Sequence, residues 1–241
     1  MTKERLDNTL VALGLVSSRS QAESYIKLAK VKVAGKVITK SGYLVSEENK
    51  KRVKLDAKEQ YVSRAALKLA SIAKDFDLNF KDKIVLDVGS STGGFTDYAL
   101  QHGAKLVYAI EKGTDQLHPS LRDNPSIRLF EKTDIRDFTP EEAPDIVVID
   151  VSFIPIRDIL PHVSKVSTRS TSIVAMVKPQ FEAGVSNLKH KGVIKNDHMR
   201  RQILKDFESW ATDHFIIIKK SDSEVAGAKG NLERFYLLQK L

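Results

Sequence analysis

The sequence predicts an α/β protein: a doubly wound, mostly parallel sheet whose last strand is antiparallel, preceded by a small basic α+β unit. Three observations carry this expectation. Residues 61 to 241 alternate short apolar runs with stretches of helical periodicity. A glycine-rich turn, LDVGSSTGGFTD, follows the first run. Residues 1 to 60 hold 13 Lys plus Arg against 7 Asp plus Glu, so +6 of the net charge of +8 falls in the first quarter of the chain. The 241 residues, 41% of them hydrophobic, suffice for one large or two modest domains and exclude disorder as the whole answer.

In the basic unit, Leu6, Leu10 and Leu13 recur at helical spacing up to Gly14, and Ser20 with Glu23 fits a capping box opening a second helix through Leu28. VKVAGKVI reads as two short strands around Ala34 and Gly35, with YLV and RVKLD as further strands. Arg5, Arg19, Lys27, Lys30, Lys32 and Lys36 crowd the helix ends and the hairpin. Such a stripe is what phosphate contacts require, although a solvated surface keeping a small domain soluble accounts for composition equally well. Asp56 to Gln60, polar and unpatterned, reads as a linker, dividing the chain into residues 1–59 and 60–241.

In the larger part the apolar runs are IVLDVG, LVYAI, IRLF, DIVVID, TSIVAMV and HFIII, and a last run, ERFYLL, follows with too few residues for a crossover helix. That last strand is therefore expected to be antiparallel. Ligands of such sheets gather at the carboxyl ends of the parallel strands. The first strand end supplies Asp87, Gly89, Ser90, Ser91, Thr92, Gly93, Gly94 and Phe95, with a helix expected from about Thr92. Glycines there let backbone approach a ligand closely, but the spacing G-x-x-x-G-G fits the dinucleotide fingerprint poorly. Glu111, ending the second strand, suits two ribose hydroxyls, while Asp134 and Ile135, after the third, suit an adenine edge and face. A surface carboxylate is the bland alternative for Glu111. Three consecutive nucleoside-type strand ends, without a second nucleotide site or pyrophosphate clamp, fit S-adenosylmethionine better than NAD.

The absence of cysteine excludes disulfides, thiolate metal sites and cysteine nucleophiles, and no metal site is expected. Carbon-5 methylation of pyrimidines, which needs such a nucleophile, is thereby disfavoured. Base-amino methylation normally uses Asn or Asp followed by Pro-Pro and an aromatic residue, whereas the fourth strand ends in Asp150-Val151-Ser152-Phe153. The fifth ends in Lys178, and the antiparallel last strand begins at Glu233, which puts Asp150, Lys178 and Glu233 on neighbouring strands about 4.8 Å apart. In SRAALKLASIAKDF the apolar face is Leu69, Ile72, Ala73 and Phe76, leaving Arg64 and Lys68 four apart on the other side. Two amines and two carboxylates suit alkylation of a ribose 2′-OH, where the enzyme aligns the reactants and removes a proton from a poor acid. The competing reading is a buried ion-pair network that closes the top of the sheet.

Residues 3 to about 59, with RLD, SRSQAESYIKLAKVKVAGKV and the closing strand, resemble an S4 RNA-binding domain, departing from it in an Ala where Asn often precedes the hairpin glycine. SRAALKL, LDVGSSTGGFTD, DVSFI, VKPQFEAG and GNLERF, in that order, resemble the motifs of the TlyA (haemolysin A) family, which joins an S4 domain to an FtsJ-like methyltransferase domain. The resemblance implies a Rossmann-like class I methyltransferase sheet and S-adenosylmethionine-dependent 2′-O-methylation of cytidine in ribosomal RNA. It also implies a Lys-Asp-Lys-Glu set carried by Lys68, Asp150, Lys178 and Glu233, with Lys178 as the base and the basic residues, Arg64 among them, on RNA. Two departures are Ala65 in place of the usual glycine and Glu111-Lys112 in place of Asp-Val.

Two rival readings differ in class: a membrane-damaging protein, and an RNA-binding module on an inactive methyltransferase scaffold. No run of about eighteen apolar residues and no signal-like start is present, so the expectation is a cytoplasmic protein acting on ribosomal subunits, without a membrane partner. The polar, lysine-rich stretch from Ala183 to Asp197 is expected to be a loop.

Overall fold

The computed structural model describes residues 3–56, 61–183, 193–194, 196–225, 227 and 230–241. The expected boundary at 59/60, and most of the Ala183 to Asp197 loop, lie outside the described residues.

The basic unit contains β1 (Lys3–Arg5), α1 (Leu6–Ala12), α2 (Arg19–Lys27), β2 (Val31–Val33), β3 (Lys36–Val37), β4 (Leu44–Ser46), α3 (Glu47–Lys50) and β5 (Val53–Leu55). Its strands form two small antiparallel sheets, β1-β4 and β3-β2-β5. Leu6 and Leu10 of α1 and Ala22 and Ile26 of α2 are fully buried between the helices and the sheets, as their spacing predicts. The cap of α2 comes earlier than expected: Ser18 accepts from the N–H of Gln21, and Glu23 pairs with Arg19 instead. Both serines are capping residues, and the chain direction into α2 selects the first. Between β2 and β3, Ala34 and Gly35 both have positive φ, +51° and +82°, as a two-residue hairpin turn of the right twist demands.

The larger part contains α4 (Arg64–Ala73), β6 (Ile84–Val88), α5 (Gly94–Gln101), β7 (Leu106–Ile110), α6 (Pro119–Arg122), β8 (Ile127–Phe130), β9 (Ile146–Ile149), α7 (Leu160–Val166), β10 (Ser172–Val177), α8 (Pro179–Glu182), α9 (Asp197–Thr212), β11 (Phe215–Asp222) and β12 (Arg234–Lys240). The seven strands stand in the order β11-β12-β10-β9-β6-β7-β8. Only β12 runs against its neighbours, and it is inserted between β10 and β11 rather than placed at the rim. One face packs on α4 and α5 through Leu69, Ile72, Phe95 and Ala99, the other on α7 and α9 through Leu160, Val163, Leu204 and Phe207. The crossovers on the β7–β8–β9 side are thinner than a full βαβ alternation: α6 has four residues, and only a 3-10 turn over Ile135–Asp137 separates β8 from β9.

The two parts share a core. Tyr25 and Ile26 belong to the same buried cluster as Tyr61 and Leu69, and Gln21 Nε2 donates to the Tyr61 carbonyl at 2.6 Å.

Candidate active site

The carboxyl ends of β6, β7 and β9 open onto a cavity of about 680 Å³ lined by Gly89, Ser91, Glu111, Asp134, Ile135 and Asp150 among others. That size suits a nucleoside-class ligand. Gly89 sits at φ +82°, and a Cβ there would stand 2.8 Å from the Asp150 carbonyl oxygen, so only glycine lets the two strand ends approach. α5 begins at Gly94 rather than near Thr92, because Gly93 takes a left-handed conformation, φ +86°, as its cap. Thr92 is thereby left exposed in the turn, its carbonyl accepting from His118 N at 3.2 Å. A Cβ on Gly94 would lie 2.3 Å from Ser63 Oγ, so this glycine seats the start of α4 against α5.

Asp87 is fully buried; Thr96 Oγ1 donates to one of its oxygens at 2.6 Å, while Oδ1 has no hydrogen-bond partner. Burial, reinforced by the nearby charges of Asp150 and Glu111 against the Thr96 bonds, pushes its carboxyl up to about 7. The buried Ser90 hydroxyl is likewise without a partner. Glu111 is oriented at both oxygens, accepting from Ser91 N at 2.9 Å and Gly113 N at 2.7 Å. Asp134 is gripped by Arg136, whose Nη2 lies 2.7 Å away, and by Lys112 at 2.9 Å. Arg136 chiefly, with Lys112 and against some burial, holds Asp134 well below the usual carboxylate range. Ile135 is buried against the sheet. Phe95 turns into the core towards Phe235, with ring centroids 6.3 Å apart.

A second cavity of about 150 Å³ adjoins the first and shares Gly89, Ser91, Asp150 and Ser152 with it; Asp87, Ser90, Thr92 and Lys178 complete its polar lining. Here the strand order brings distant residues together. Asp150 follows β9, Lys178 follows β10 and Glu233 precedes β12, three adjacent strands of which the last is reversed. Lys178 Nζ lies 2.5 Å from Asp150 Oδ1 and donates to Ser152 Oγ at 3.0 Å. Lys68 Nζ lies 2.5 Å from Glu233 Oε2, the two side chains 7% and 3% exposed. Lys68 therefore does not occupy a solvent face of α4. That helix is buried on both sides, because the segment carrying Glu233 covers the face that helical periodicity alone leaves open. For Asp150, burial alone raises the carboxyl, but the cationic Lys68, Lys178 and Arg64 outweigh it and keep the group ionised, below its ordinary value.

Sequence reasoning missed the aromatic pair beside this tetrad. Phe153 is 91% exposed at φ +67°, its ring 5.3 Å from that of Phe181, and the Phe181 ring lies 5.9 Å from Lys178 Nζ. The available signal was an aromatic residue two positions after a strand-end serine-flanking valine, outside any apolar periodicity.

The basic candidates separate into two kinds. Arg5 and Arg19 both grip Asp7, at 2.7 and 2.9 Å, yet keep 43% and 57% of their side chains exposed. Asp7 itself is fully buried; burial pushes it up, but Arg5, Arg19 and the Asn8 N–H together hold it low. Lys27, Lys30 and Lys36 are exposed, Lys32 pairs with Asp56 at 2.8 Å, and Arg64 is half-buried at the start of α4. Among the described residues no group of three or more metal-ligating side chains occurs.

Residues 61–240 match the FtsJ-like methyltransferase family, and residues 4–54 match the S4 domain. The chain belongs to the FtsJ-like methyltransferases. Within that family it is 35% identical over 243 residues to the 16S/23S rRNA (cytidine-2′-O)-methyltransferase TlyA of Mycobacterium tuberculosis, covering 98% of this chain and 90% of the relative. It is 37% identical over 234 residues to Hemolysin A of Brachyspira hyodysenteriae, covering 95% and 97%. A provisionally named hemolysin from Streptococcus thermophilus has the same fold, with a TM-score of 0.72 and 36% identity over 100% of this chain and 89% of that one. The expected family and fold class are therefore those of the protein, an S4 domain followed by a methyltransferase sheet.

An FtsJ-like methyltransferase takes S-adenosylmethionine, and the residues present fit it. The unpartnered Asp87 Oδ1 and the glycine-lined approach at Gly89 leave room and a negative charge for a cationic ligand. Glu111, Asp134 and Ile135 line the same cavity where a nucleoside would lie. Among the described residues no helix is long and apolar enough to cross a membrane.

Proposed function

We propose that this methyltransferase modifies the 2′-hydroxyl of a cytidine in ribosomal RNA, with Lys178 as the proton acceptor. The observation that carries the reading is the Lys178 amine, fixed between Asp150 and Ser152 where the smaller cavity joins the larger one. S-adenosylmethionine, when bound, supplies an electrophilic methyl group on a positively charged sulfur. Gly89 and the Ser90–Thr92 turn, Asp87, Glu111, Asp134 and Ile135 would hold it. Lys178, in its neutral form, takes the hydroxyl proton, and Asp150 stabilises the ammonium that results. Lys68 compensates the Asp150 carboxylate, and Glu233 in turn holds Lys68. Once Lys178 has taken the proton the four groups alternate in sign and their charges cancel, whereas before transfer, with Lys178 neutral, the set carries a single negative charge.

A chain without cysteine lacks the nucleophile that carbon-5 methylation of pyrimidines normally needs, whereas a ribose hydroxyl needs only alignment and a base. The exposed Phe153 ring at the rim offers a stacking surface to an unstacked base, as RNA enzymes that act on single nucleotides require. Arg5, Arg19, Lys27, Lys30, Lys32 and Lys36 would carry the phosphate contacts, and the name of the mycobacterial relative supports a ribosomal RNA substrate.

The test is incubation of the protein with labelled donor and unmodified ribosomal subunits, followed by mapping of the labelled nucleotide. The expected product is a 2′-O-methylcytidine, absent with Lys178→Ala although that variant still binds donor. Labelling of a base atom, or undiminished transfer by Lys178→Ala, would sink the reading.

A further inference from the structure

We propose that Glu182 is a positioning residue for methyl transfer, its buried carboxylate tying the segment that carries Lys178 to the segment that carries Ser152 and Phe153. The proposal rests on Lys178 being the proton acceptor.

α8 starts immediately after Lys178, and the N–H groups of Phe181 and Glu182 donate to the Lys178 carbonyl at 2.9 and 3.2 Å. Glu182 therefore stands one helical turn beyond the amine and moves with it. Its side chain is 1% exposed, and both of its oxygens reach across to the neighbouring strand end. One accepts from the backbone N–H of Ile156 and the other from Arg157 Nε at 3.0 Å. Ile156 and Arg157 open a 3-10 turn four residues after Ser152. At the reacting end, Lys178 Nζ donates to Ser152 Oγ. The segments after β9 and β10 are thus joined twice, once in the cavity and once behind it. Phe153 and Phe181 lie on the same two segments.

Without the rear bridge, the Lys178 amine and the exposed ring would be placed only by contacts on the cavity side: the Lys178 pair with Asp150, its hydrogen bond to Ser152 Oγ and the Phe153–Phe181 ring contact. A buried carboxylate paired with a partly exposed guanidinium contributes little net stability, and what such a pair supplies best is register. Burial pushes Glu182 above its ordinary value, while the Ile156 N–H and Arg157 oppose this.

Arg157 also lies over the Trp210 ring, 6.0 Å from its centroid, and Trp210 is the single tryptophan of the chain. Its emission reports the bridge independently of catalysis.

The experiment compares Glu182→Ala, Glu182→Gln and Arg157→Ala in the full chain, with ribosomal subunits and labelled donor, measuring kcat, donor Kd and Trp210 emission beside Lys178→Ala. The Ala variant at 182 is expected to lose about 100-fold in kcat, the scale of an ångström misplacement, with donor Kd held within about threefold. Gln, which keeps one accepting oxygen, restores about tenfold of that loss, and Arg157→Ala loses about tenfold and adds little when combined with Glu182→Ala. Trp210 emission changes in both Ala variants. A folded Glu182→Ala enzyme with kcat within about threefold of the parent, or equal losses in kcat and donor affinity, would overturn the proposal. Should Glu182→Ala not fold, Arg157→Ala decides, and full activity there overturns it. An active Lys178→Ala enzyme would end the reading of Lys178 as base, whereas inactive Lys178→Ala beside fully active Glu182→Ala would end only the positioning role.

Discussion

Asp87 shows how a single residue trades stability for binding. It lies on the first strand of the methyltransferase sheet, fully buried, with one oxygen unpartnered and a carboxyl that titrates at about 7 in the folded protein. Below about pH 4 both folded and unfolded chains hold this proton, so the group has no effect on stability. Between there and about 7 the unfolded chain releases the proton while the folded one keeps it, and stability falls with rising pH, by up to about 4 kcal/mol in all. Above that the penalty is constant. Asp87→Asn keeps the shape and removes the charge, so it should raise the melting temperature at pH 8 and change it little at pH 4. The same substitution removes the negative charge facing a cationic donor, and donor Kd should weaken by about tenfold or more. Thermal melts at the two pH values with a donor titration check both effects; an equal shift at pH 4 and pH 8 would show that the carboxyl is not ionising in this window.

At the scale of elements, strands were legible and their neighbours less so. Apolar runs locate all seven strands of the large sheet, because strands packed between helices on two faces are built mostly of apolar residues, Asp87 on β6 being the buried exception at the site. The reversal of β12 also follows from sequence, through the short connection before it. Helix starts were misplaced by two residues at α2 and at α5, where several capping residues or glycines stand together and the tertiary path decides among them. The burial of Lys68 was hidden for a related reason. One helix's periodicity records its largest apolar face, not a second face covered by a segment 165 positions away. Ser152, Phe153 and Glu182 escaped notice because their meaning lies in the adjacency of two strand-end loops. The hairpin between β2 and β3 gives a test at this scale. Ala34 adopts φ +51°, a region costing a non-glycine residue roughly 1–2 kcal/mol, whereas Asn before Gly is the favoured pair for such a turn. Ala34→Asn should stabilise the protein by about 0.5–1 kcal/mol and leave methyl transfer unchanged. Denaturant titration checks this, and a lowered midpoint would mean that the turn has another geometry.

For the whole molecule, most of the excess positive charge lies in the S4 unit, whereas the large cavity and the tetrad lie in the methyltransferase part. The S4 unit holds +6 of the net +8, and it is anchored to the methyltransferase part through the Gln21 to Tyr61 bond and a common buried cluster. RNA attraction should therefore be set mainly by residues remote from Lys178, and it should fall with salt as phosphate-bound counterions are released. The two kinds of basic residue then part company. Lys30→Ala or Lys36→Ala removes an exposed charge, so each should flatten the dependence of log K on log salt by roughly one while leaving the melting temperature alone. Arg19→Ala should flatten the slope and also lower the melting temperature, since Asp7, fully buried, would keep only Arg5 of its two guanidinium partners. With saturating RNA, kcat should be unchanged in all three variants, because none of these side chains lines the donor cavity or touches the tetrad. Binding measured across a salt series, thermal melts and single-turnover rates on the same preparations separate these outcomes. A lysine variant with an unaltered salt slope would move the RNA face elsewhere on the molecule, and a loss of kcat at saturation would show that the S4 unit acts on the reacting groups as well as on the backbone of the substrate.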